Sequence, residues 1–217
     1  MTGLIVKDFL VSKRSLKAYF GIMIFYAALT FLGVFNISFV TAFVSVMLIM
    51  LPIGTFSYDE AAKWDRYAMA LPLGRRAVVG ARYLFTLLVT LISLALALLS
   101  GVAVSVTGQG TLEEVMVSAL GTLAMGLLVA DILLPLCYKL GAERARPYLY
   151  AVIFIPVIVM FLAFRMGVRI DASWLDRLAL SSPGVLLALS SLPLLAALAL
   201  MFVSYLISCR IAAGKEY

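Results

Sequence analysis

The sequence contains no histidine among its 217 residues. Catalytic triads built on histidine, HExxH zinc sites and histidine proton relays are therefore excluded. The chain also has no GxxxxGK[ST] loop to hold nucleotide phosphates and no GxSxG elbow to present a serine nucleophile. With no carboxylate pair deep in an apolar segment either, we predict no catalytic residue, no metal site and no cofactor site in this chain.

Charge is scarce as well, since 13% of the residues are charged and 65% are apolar. The mean hydropathy of +1.13 is too high for a soluble domain, which would expose very large apolar patches in water. A bilayer protein needs this composition. The two cysteines, Cys137 and Cys209, fall at predicted cytoplasmic ends of spans, so we expect no disulfide between them.

Six apolar segments have about the 20 residues that a membrane-spanning helix needs. They are residues 18–35, 39–56, 83–106, 115–138, 148–166 and 183–207. All must be helical, because lipid does not satisfy an open backbone. The sequence therefore predicts an all-α integral membrane protein made of one domain, 1–217, in which a short turn at Asn36 joins the first two spans as a hairpin.

Two segments outside the spans also predict helices. Residues 1–17 place Lys7, Lys13 and other basic residues opposite an apolar face, which is typical of an interfacial amphipathic helix, although Asp8 interrupts that face. The alternative is an ordinary basic flank. Residues 167–182 predict a short outer helix before the last span, with Trp174 at the interface. A surface helix and a partly re-entrant helix both fit this outer segment.

The distribution of basic residues predicts the orientation. Fourteen of the 17 Lys and Arg residues fall in the N-terminal segment, the loops 57–82 and 139–147, and the C-terminal tail. The other three are in the single loop that contains Arg165, Arg169 and Arg177. The positive-inside rule then places both termini in the cytoplasm.

Within the spans, two features are candidates for function or packing. Asp131 is the one carboxylate well inside a predicted span, and Pro135 frees its backbone carbonyl. Asp131 is a candidate cavity or pathway residue: we expect a structural or cavity-lining role, with a substrate or proton contact as the alternative. Small residues recur at every fourth position in the third and fourth spans, which favours close helix packing over a substrate groove. They are Ser93, Ala97, Gly101 and Ser105, then Ser118, Thr122, Gly126 and Ala130.

The loop 57–82 mixes charges of both signs with aromatic residues, which is typical of a protein interface. Anchoring of the span ends alone would not call for three carboxylates beside a negatively charged leaflet. Together with the loop 139–147, this segment gives the candidate residues for contact with a partner. They are Tyr58, Asp59, Glu60, Lys63, Trp64, Asp65, Arg66, Tyr67, Lys139, Gly141, Glu143, Arg144 and Arg146.

Three blocks of the sequence carry a resemblance to a known family. The blocks are Val6-Lys7-Asp8-Phe9, then Tyr58-Asp59-Glu60 with Lys63-Trp64-Asp65, Leu71-Pro72, Arg75-Arg76 and Arg82-Tyr83, then Pro135 with Tyr138-Lys139-Leu140-Gly141 and Glu143-Arg144-Ala145-Arg146. In these blocks the chain resembles the small six-span permeases of type-two ABC exporters, in particular bacterial peptide and antimicrobial exporters such as those of phenol-soluble modulins. The family more often has Phe where this chain has Leu140.

The resemblance implies that both cytoplasmic loops couple the spans to an ATP-hydrolysing subunit, which would hold ATP and Mg. It implies a bacterial cytoplasmic membrane, a second permease half in a homodimer or heterodimer, and two ATPase copies. Because a polar core is missing, we expect a hydrophobic or amphipathic peptide, or a lipophilic compound, as the exported cargo. The alternatives are a vitamin-binding membrane subunit of an energy-coupling transporter and an intramembrane enzyme.

The predicted orientation is testable with thiol reagents that do not cross the membrane. We expect Cys137 and Cys209 to react from the cytoplasmic side only, with burial slowing Cys137, and a cysteine introduced as Gly110→Cys to react from outside in intact cells. Labelling of Cys209 from outside would overturn the orientation.

Overall fold

The computed structural model describes residues 2–34, 37–64, 67–68, 74–106, 111–166 and 183–214. Within these ranges the chain forms α-helices and no β-strand, as the sequence predicts. The helices are α1 (Thr2–Phe31), α2 (Ile37–Ala61), α3 (Arg75–Val106), α4 (Leu112–Leu140), α5 (Ala142–Arg165) and α6 (Pro183–Gly214). Predictions about Asn36, Asp65, Arg66 and the outer segment 167–182 lie outside the described residues.

Five of the described helices, α2 to α6, are long and apolar enough to cross a membrane. The chain is therefore an integral membrane protein. Helix α1 differs from the prediction of an interfacial helix followed by a separate span, because it is one unbroken helix of 30 residues. Its buried stripe is Leu4, Asp8 and Ser12, at the four-residue spacing of one helix face. The interfacial position of residues 1–17 and the sixth span stay predictions.

Helix α4 lies at the centre of the bundle and packs against α2, α3, α5 and α6. Among the described helices, α1 packs against α2 and α3, whereas α5 packs only against α4 and α2. The main core lies between α2, α3, α4 and α6, and its largest fully buried side chains include Leu48, Phe85, Leu123 and Leu127. Burial thus concentrates around α4 and leaves one side of α5 exposed.

The two ends of α4 are fixed by local chemistry. At its start Thr111 and Glu114 form a capping box, in which each side chain accepts a hydrogen bond from the backbone N–H of the other. At its end Gly141 alone separates α4 from α5, with a φ of 86° that favours glycine. The backbone therefore turns from α4 into α5 at one residue.

The close packing predicted from the small-residue pattern is present where α4 meets two neighbours. A Cβ added at Gly101 of α3 would lie 2.5 Å from Cγ1 of Val115 in α4. A Cβ added at Gly126 of α4 would lie 3.2 Å from the carbonyl oxygen of Ser45 in α2. Helix association in lipid depends on such close backbone approach, because burial of apolar surface gives no driving force there.

We expect Gly101→Ala to destabilise the bundle by about 1–3 kcal/mol, because the added methyl group overlaps Val115. Adding Val115→Ala should recover part of that loss, so that the double variant is more stable than the two single effects predict. The matched control is Gly21→Ala, since a Cβ at Gly21 has no atom within 4 Å. Thermal unfolding midpoints in detergent would measure all four variants, and strict additivity of Gly101→Ala and Val115→Ala would contradict the contact.

Candidate functional site

The ends of α1, α2 and α3 meet at a group of four charged side chains, Lys7, Asp8, Asp59 and Arg82, which we call the ionic cluster. Lys7 and Asp8 come from the first turns of α1, Asp59 from the last turn of α2, and Arg82 from the second turn of α3. Asp8, Asp59 and Arg82 are buried, with 3%, 7% and 6% of their surfaces exposed. The cluster joins three helices that are far apart in sequence.

In the ionic cluster each cation lies between two carboxylates. The Lys7 Nζ atom donates to both carboxylate oxygens of Asp59, at 2.7 and 2.8 Å. The guanidinium of Arg82 donates to Asp59 and lies 3.1 Å from Asp8, and Lys7 also lies 3.1 Å from Asp8. The cluster contains two charges of each sign, so its formal charges cancel. Buried charges require such pairing, since removal from water is costly for each ion.

Asp59 and Asp8 are held unequally within the ionic cluster. Asp59 accepts hydrogen bonds from both cations, whereas Asp8 forms ion pairs with them, with Lys7 3.1 Å from its Oδ1 atom and Arg82 3.1 Å from its Oδ2 atom. Burial raises the pKa of the Asp8 carboxyl, and the charges of Arg82 and Lys7 offset part of that rise. Both cations therefore contact both carboxylates, and the contacts to Asp59 are the closer ones.

Aromatic rings cover the ionic cluster on two sides. Lys7 lies 4.7 Å from the ring centre of Trp64, and Arg82 lies 4.6 Å from that of Phe56. Such cation–π contacts are stronger where water is excluded. Trp64 follows Lys63, which takes a left-handed conformation with a φ of 51° two residues after the end of α2. Phe9 and Phe85 pack edge to face beside the cluster, with ring centres 5.0 Å apart.

Glu60 connects the two predicted coupling loops within this chain. Its Oε2 atom accepts a hydrogen bond from the backbone N–H of Ala142, at 2.8 Å, and lies 3.4 Å from the N–H of Glu143. Both N–H groups belong to the free first turn of α5, where a carboxylate is favoured by the helix dipole. Glycine is favoured at position 141 by its φ of 86°, and a Cβ there would also lie 2.9 Å from Oε1 of Glu60.

A third polar connection at the same end joins α3 to α6. The Arg75 guanidinium donates to the carbonyl oxygen of Ala213, at 2.7 Å, in the last turn of α6. Such carbonyl groups have no partner within the helix, and a cation there also suits the helix dipole. The ionic cluster, Glu60 and Arg75 thus fasten five helices together at one end of the bundle.

Deeper in the bundle, hydroxyl groups join α3, α4 and α6. Ser204 donates to the backbone carbonyl of Asp131, at 2.6 Å, which Pro135 leaves without its helical partner. Since the Ser204 proton is used there, the hydroxyl of Tyr83 donates to Ser204, at 2.6 Å, and Ser208 donates to Tyr83, at 2.8 Å. The carbonyl that the sequence predicted to be free is therefore satisfied by α6.

The carboxylate of Asp131 stands apart from these contacts. Asp131 is 7% exposed, and neither of its carboxylate oxygens makes a hydrogen bond to a described residue. An unpaired carboxylate is expensive in a membrane span. The sequence selects Asp131 as a candidate pathway residue, and that role stays a prediction.

The described candidate coupling residues fall into three groups by exposure. Exposed residues are Tyr58, Glu60, Lys63, Tyr67, Lys139, Glu143, Arg144 and Arg146. Trp64 and Gly141 are half-buried, and Asp59 is buried in the ionic cluster. The prediction grouped Asp59 with surface contacts, whereas the structure turns it inward to support them.

Sequence reasoning missed the partners of Asp8 and Arg82. Asp8 interrupts the apolar face of α1, and a carboxylate in such a position requires a buried cation nearby. Arg82 lies two turns inside α3, past Arg75 and Arg76 at its start. The positions of Asp8 and Arg82 in the sequence indicate that each needs a partner of opposite charge, but neither position shows that the other residue is that partner.

The model of the ABC-2 family transporter protein matches residues 3–213, nearly the whole chain. The chain belongs to this ABC-2 transporter family. Neither a curated protein nor a solved structure matches it. An ABC-2 permease is the membrane subunit of a transporter and works with an ABC ATPase, so family membership favours this reading over a vitamin-binding subunit or an intramembrane enzyme.

We expect Arg82→Met to destabilise this ABC-2 permease by about 3–5 kcal/mol, because Asp8 and Asp59 would be left buried with Lys7 alone. Asp59→Asn should cost more than Asp8→Asn, because Asp59 accepts hydrogen bonds from both cations. The matched control is Arg76→Met, which removes an exposed arginine from the same helix. Unfolding in mixed micelles would give the four values. Equal stability of Arg82→Met and Arg76→Met would contradict the ionic cluster.

Proposed function

We propose that this chain is one permease half of an ATP-driven exporter in a bacterial cytoplasmic membrane, with both termini in the cytoplasm. Two permease halves and two ATPase subunits form the working transporter, and ATP and Mg bind to the ATPase subunits. The proposal rests on family membership and on the polar connections at the end of the bundle where the basic residues gather.

The hydrogen bond from Ala142 to Glu60 is the observation that carries the coupling proposal. It makes the end of α2 and the beginning of α5 one unit, although the two predicted coupling loops are 82 residues apart at this contact. An ATPase that pushes on either loop therefore moves both. The exposed side chains of Tyr58, Lys63 and Tyr67 form the surface that it contacts.

The ionic cluster extends this unit into the rest of the bundle. Asp59 is the neighbour of Glu60 on α2, and it is bound to Lys7 of α1 and Arg82 of α3. Displacement of the α2 end must carry these two helices with it or separate buried charges, which is costly. Movement at the cytoplasmic loops thus reaches α1 and α3 through charges, and α4 through Gly141.

The exposed side of α5 supports a second permease half. Apolar side chains between Ile153 and Phe164 are about half exposed, among them Phe154, Val157 and Phe161. In a membrane such a surface contacts either lipid or another protein. We assign part of this α5 surface to contact with the second permease half and the rest to contact with lipid.

The proposed class of cargo follows from the small number of polar groups along the spans. A hydrophobic or amphipathic peptide, or a lipophilic compound, has an apolar surface. Such a cargo needs few polar side chains of the permease to contact it as it crosses the membrane. Asp131 is the candidate contact for its polar side, because its carboxylate makes no hydrogen bond to the described residues.

We expect Glu60→Lys and Trp64→Ala to leave the chain inserted in the membrane but to weaken its hold on the ATPase. Trp64→Ala removes the ring that covers Lys7, and Glu60→Lys breaks the hydrogen bond to Ala142, so both changes disturb the support of the surface that the ATPase contacts. The matched control is Glu113→Lys, which reverses an exposed carboxylate on α4 at the opposite end of the bundle. Co-purification of the ATPase and its rate of ATP hydrolysis in proteoliposomes would be measured for all three.

The control in the outer loop is Arg177→Ala, which we expect to keep ATPase attachment. Normal attachment and normal ATP hydrolysis in both Glu60→Lys and Trp64→Ala would show that the loop 57–82 is not the coupling element. Loss of attachment in Glu113→Lys as well would point to general damage and would equally contradict the assignment.

A further inference from the structure

A cavity of about 490 Å³ opens between α1, α2, α4 and α5, at the end of the bundle that carries the ionic cluster. Its volume lies within the range of roughly 300–1,000 Å³ that small-molecule sites occupy. The walls are well packed, since Leu133, Cys137 and Leu149 are buried. Tyr58 and Tyr150 at its edge are about half exposed, so the cavity is open to the surroundings of the bundle.

The lining changes from polar to apolar with depth. Along α2 it runs from Tyr58 and Ser57 at the helix end, past Gly54, to Met50, a distance of about 12 Å at 1.5 Å per residue. On α5 the order is the same, because Arg146 lies in the second turn and Leu149 lies deeper. Hydroxyl groups and one guanidinium therefore surround the mouth, and aliphatic side chains form the floor.

Arg146 places a positive charge at the mouth of the cavity, and this charge is available to bind an anionic ligand. The Arg146 guanidinium pairs with Glu143 at 3.1 Å, but both side chains are more than half exposed, at 52% and 63%. Such exposed pairs contribute little to stability, so Arg146 exchanges Glu143 for a better anion at small cost. A phosphate group offers that anion, with several acceptor oxygens in reach of the guanidinium and the neighbouring hydroxyls.

We propose that this cavity binds one anionic phospholipid from the adjacent leaflet, with its phosphate at Arg146 and its acyl chains toward Met50 and Leu133. The cavity lies where two apolar helices, α2 and α4, end, which is the depth of lipid headgroups if these helices span the membrane. The basic residues predict that this leaflet is cytoplasmic, where anionic lipids are enriched. A soluble anion would satisfy Arg146 but would leave the apolar floor unused.

Gly54 allows the cavity to be filled without disturbing its walls. A Cβ built at Gly54 has no atom within 4 Å, so Gly54→Leu places its side chain in the open volume. Gly21 on the exposed face of α1 is equally open but does not line the cavity, which makes Gly21→Leu the matched control. For the charge, Arg146→Gln removes the guanidinium, and Arg144→Gln removes an exposed neighbour outside the lining.

Native mass spectrometry of the delipidated full chain would count bound lipids during titration with phosphatidylglycerol, phosphatidylcholine or inorganic phosphate. We expect one tightly held phosphatidylglycerol and about tenfold weaker binding of phosphatidylcholine, because both lipids carry the phosphate but the cationic choline group is repelled by Arg146. Arg146→Gln should bind both lipids equally, and Gly54→Leu should bind neither at this site. Gly21→Leu and Arg144→Gln should keep the preference for phosphatidylglycerol.

Three results would overturn the site. Equal affinity of the unmodified chain for the two lipids would remove the role of charge. Unchanged lipid binding in Gly54→Leu would place the lipid elsewhere, and displacement by inorganic phosphate would show a site for the anion alone. Should Gly54→Leu not fold, Arg146→Gln decides, because Arg146 is exposed. Lipid binding needs no attached ATPase, so this result is independent of the coupling experiment.

Discussion

The ionic cluster is the interaction on which the cytoplasmic end of this bundle depends. Lys7, Asp8, Asp59 and Arg82 bring three helix ends together beside the edge-to-face contact of Phe9 with Phe85. Breaking the cluster leaves a charge buried without a partner, which is far costlier than losing a surface ion pair. This asymmetry makes the three helix ends behave as one body, and Glu60 adds α5 to it.

Away from the cytoplasmic end, the helices are held together by close packing. In lipid, burying apolar surface between helices gains little free energy, because the acyl chains are equally apolar. Close backbone contact and a few hydrogen bonds must therefore define the packing. Gly101 and Gly126 provide the close contacts, and the hydroxyl chain from Ser208 to Asp131 provides the hydrogen bonds. A bundle built in this way is specified by polar groups at one end and is adaptable along its length, as a transport subunit requires.

Much of the fold follows from local sequence. Apolar length predicts the helices, the spacing of small residues predicts the close contacts at Gly101 and Gly126, and Pro135 predicts a free carbonyl at Asp131. The site is harder to predict, because its contacts join residues far apart in sequence. The charges of the loop 57–82 look alike in the sequence, and only the fold separates the buried Asp59 from the exposed Glu60. The sequence analysis also missed that α1 is one continuous helix. Its pattern of charges does not show whether an interfacial helix and the following span are separate or joined.

The central claim is that the ends of α1, α2 and α3 move as one unit through the ionic cluster. Hydrogen–deuterium exchange of the permease with its ATPase, compared between the ATP-bound and nucleotide-free states, tests it most directly. The account predicts that protection changes together in the peptides around Lys7, Asp59 and Arg82, and that Asp59→Asn uncouples the first of these from the second. A change confined to the end of α2, with the peptide around Lys7 unaffected by nucleotide in the unmodified protein, would contradict it.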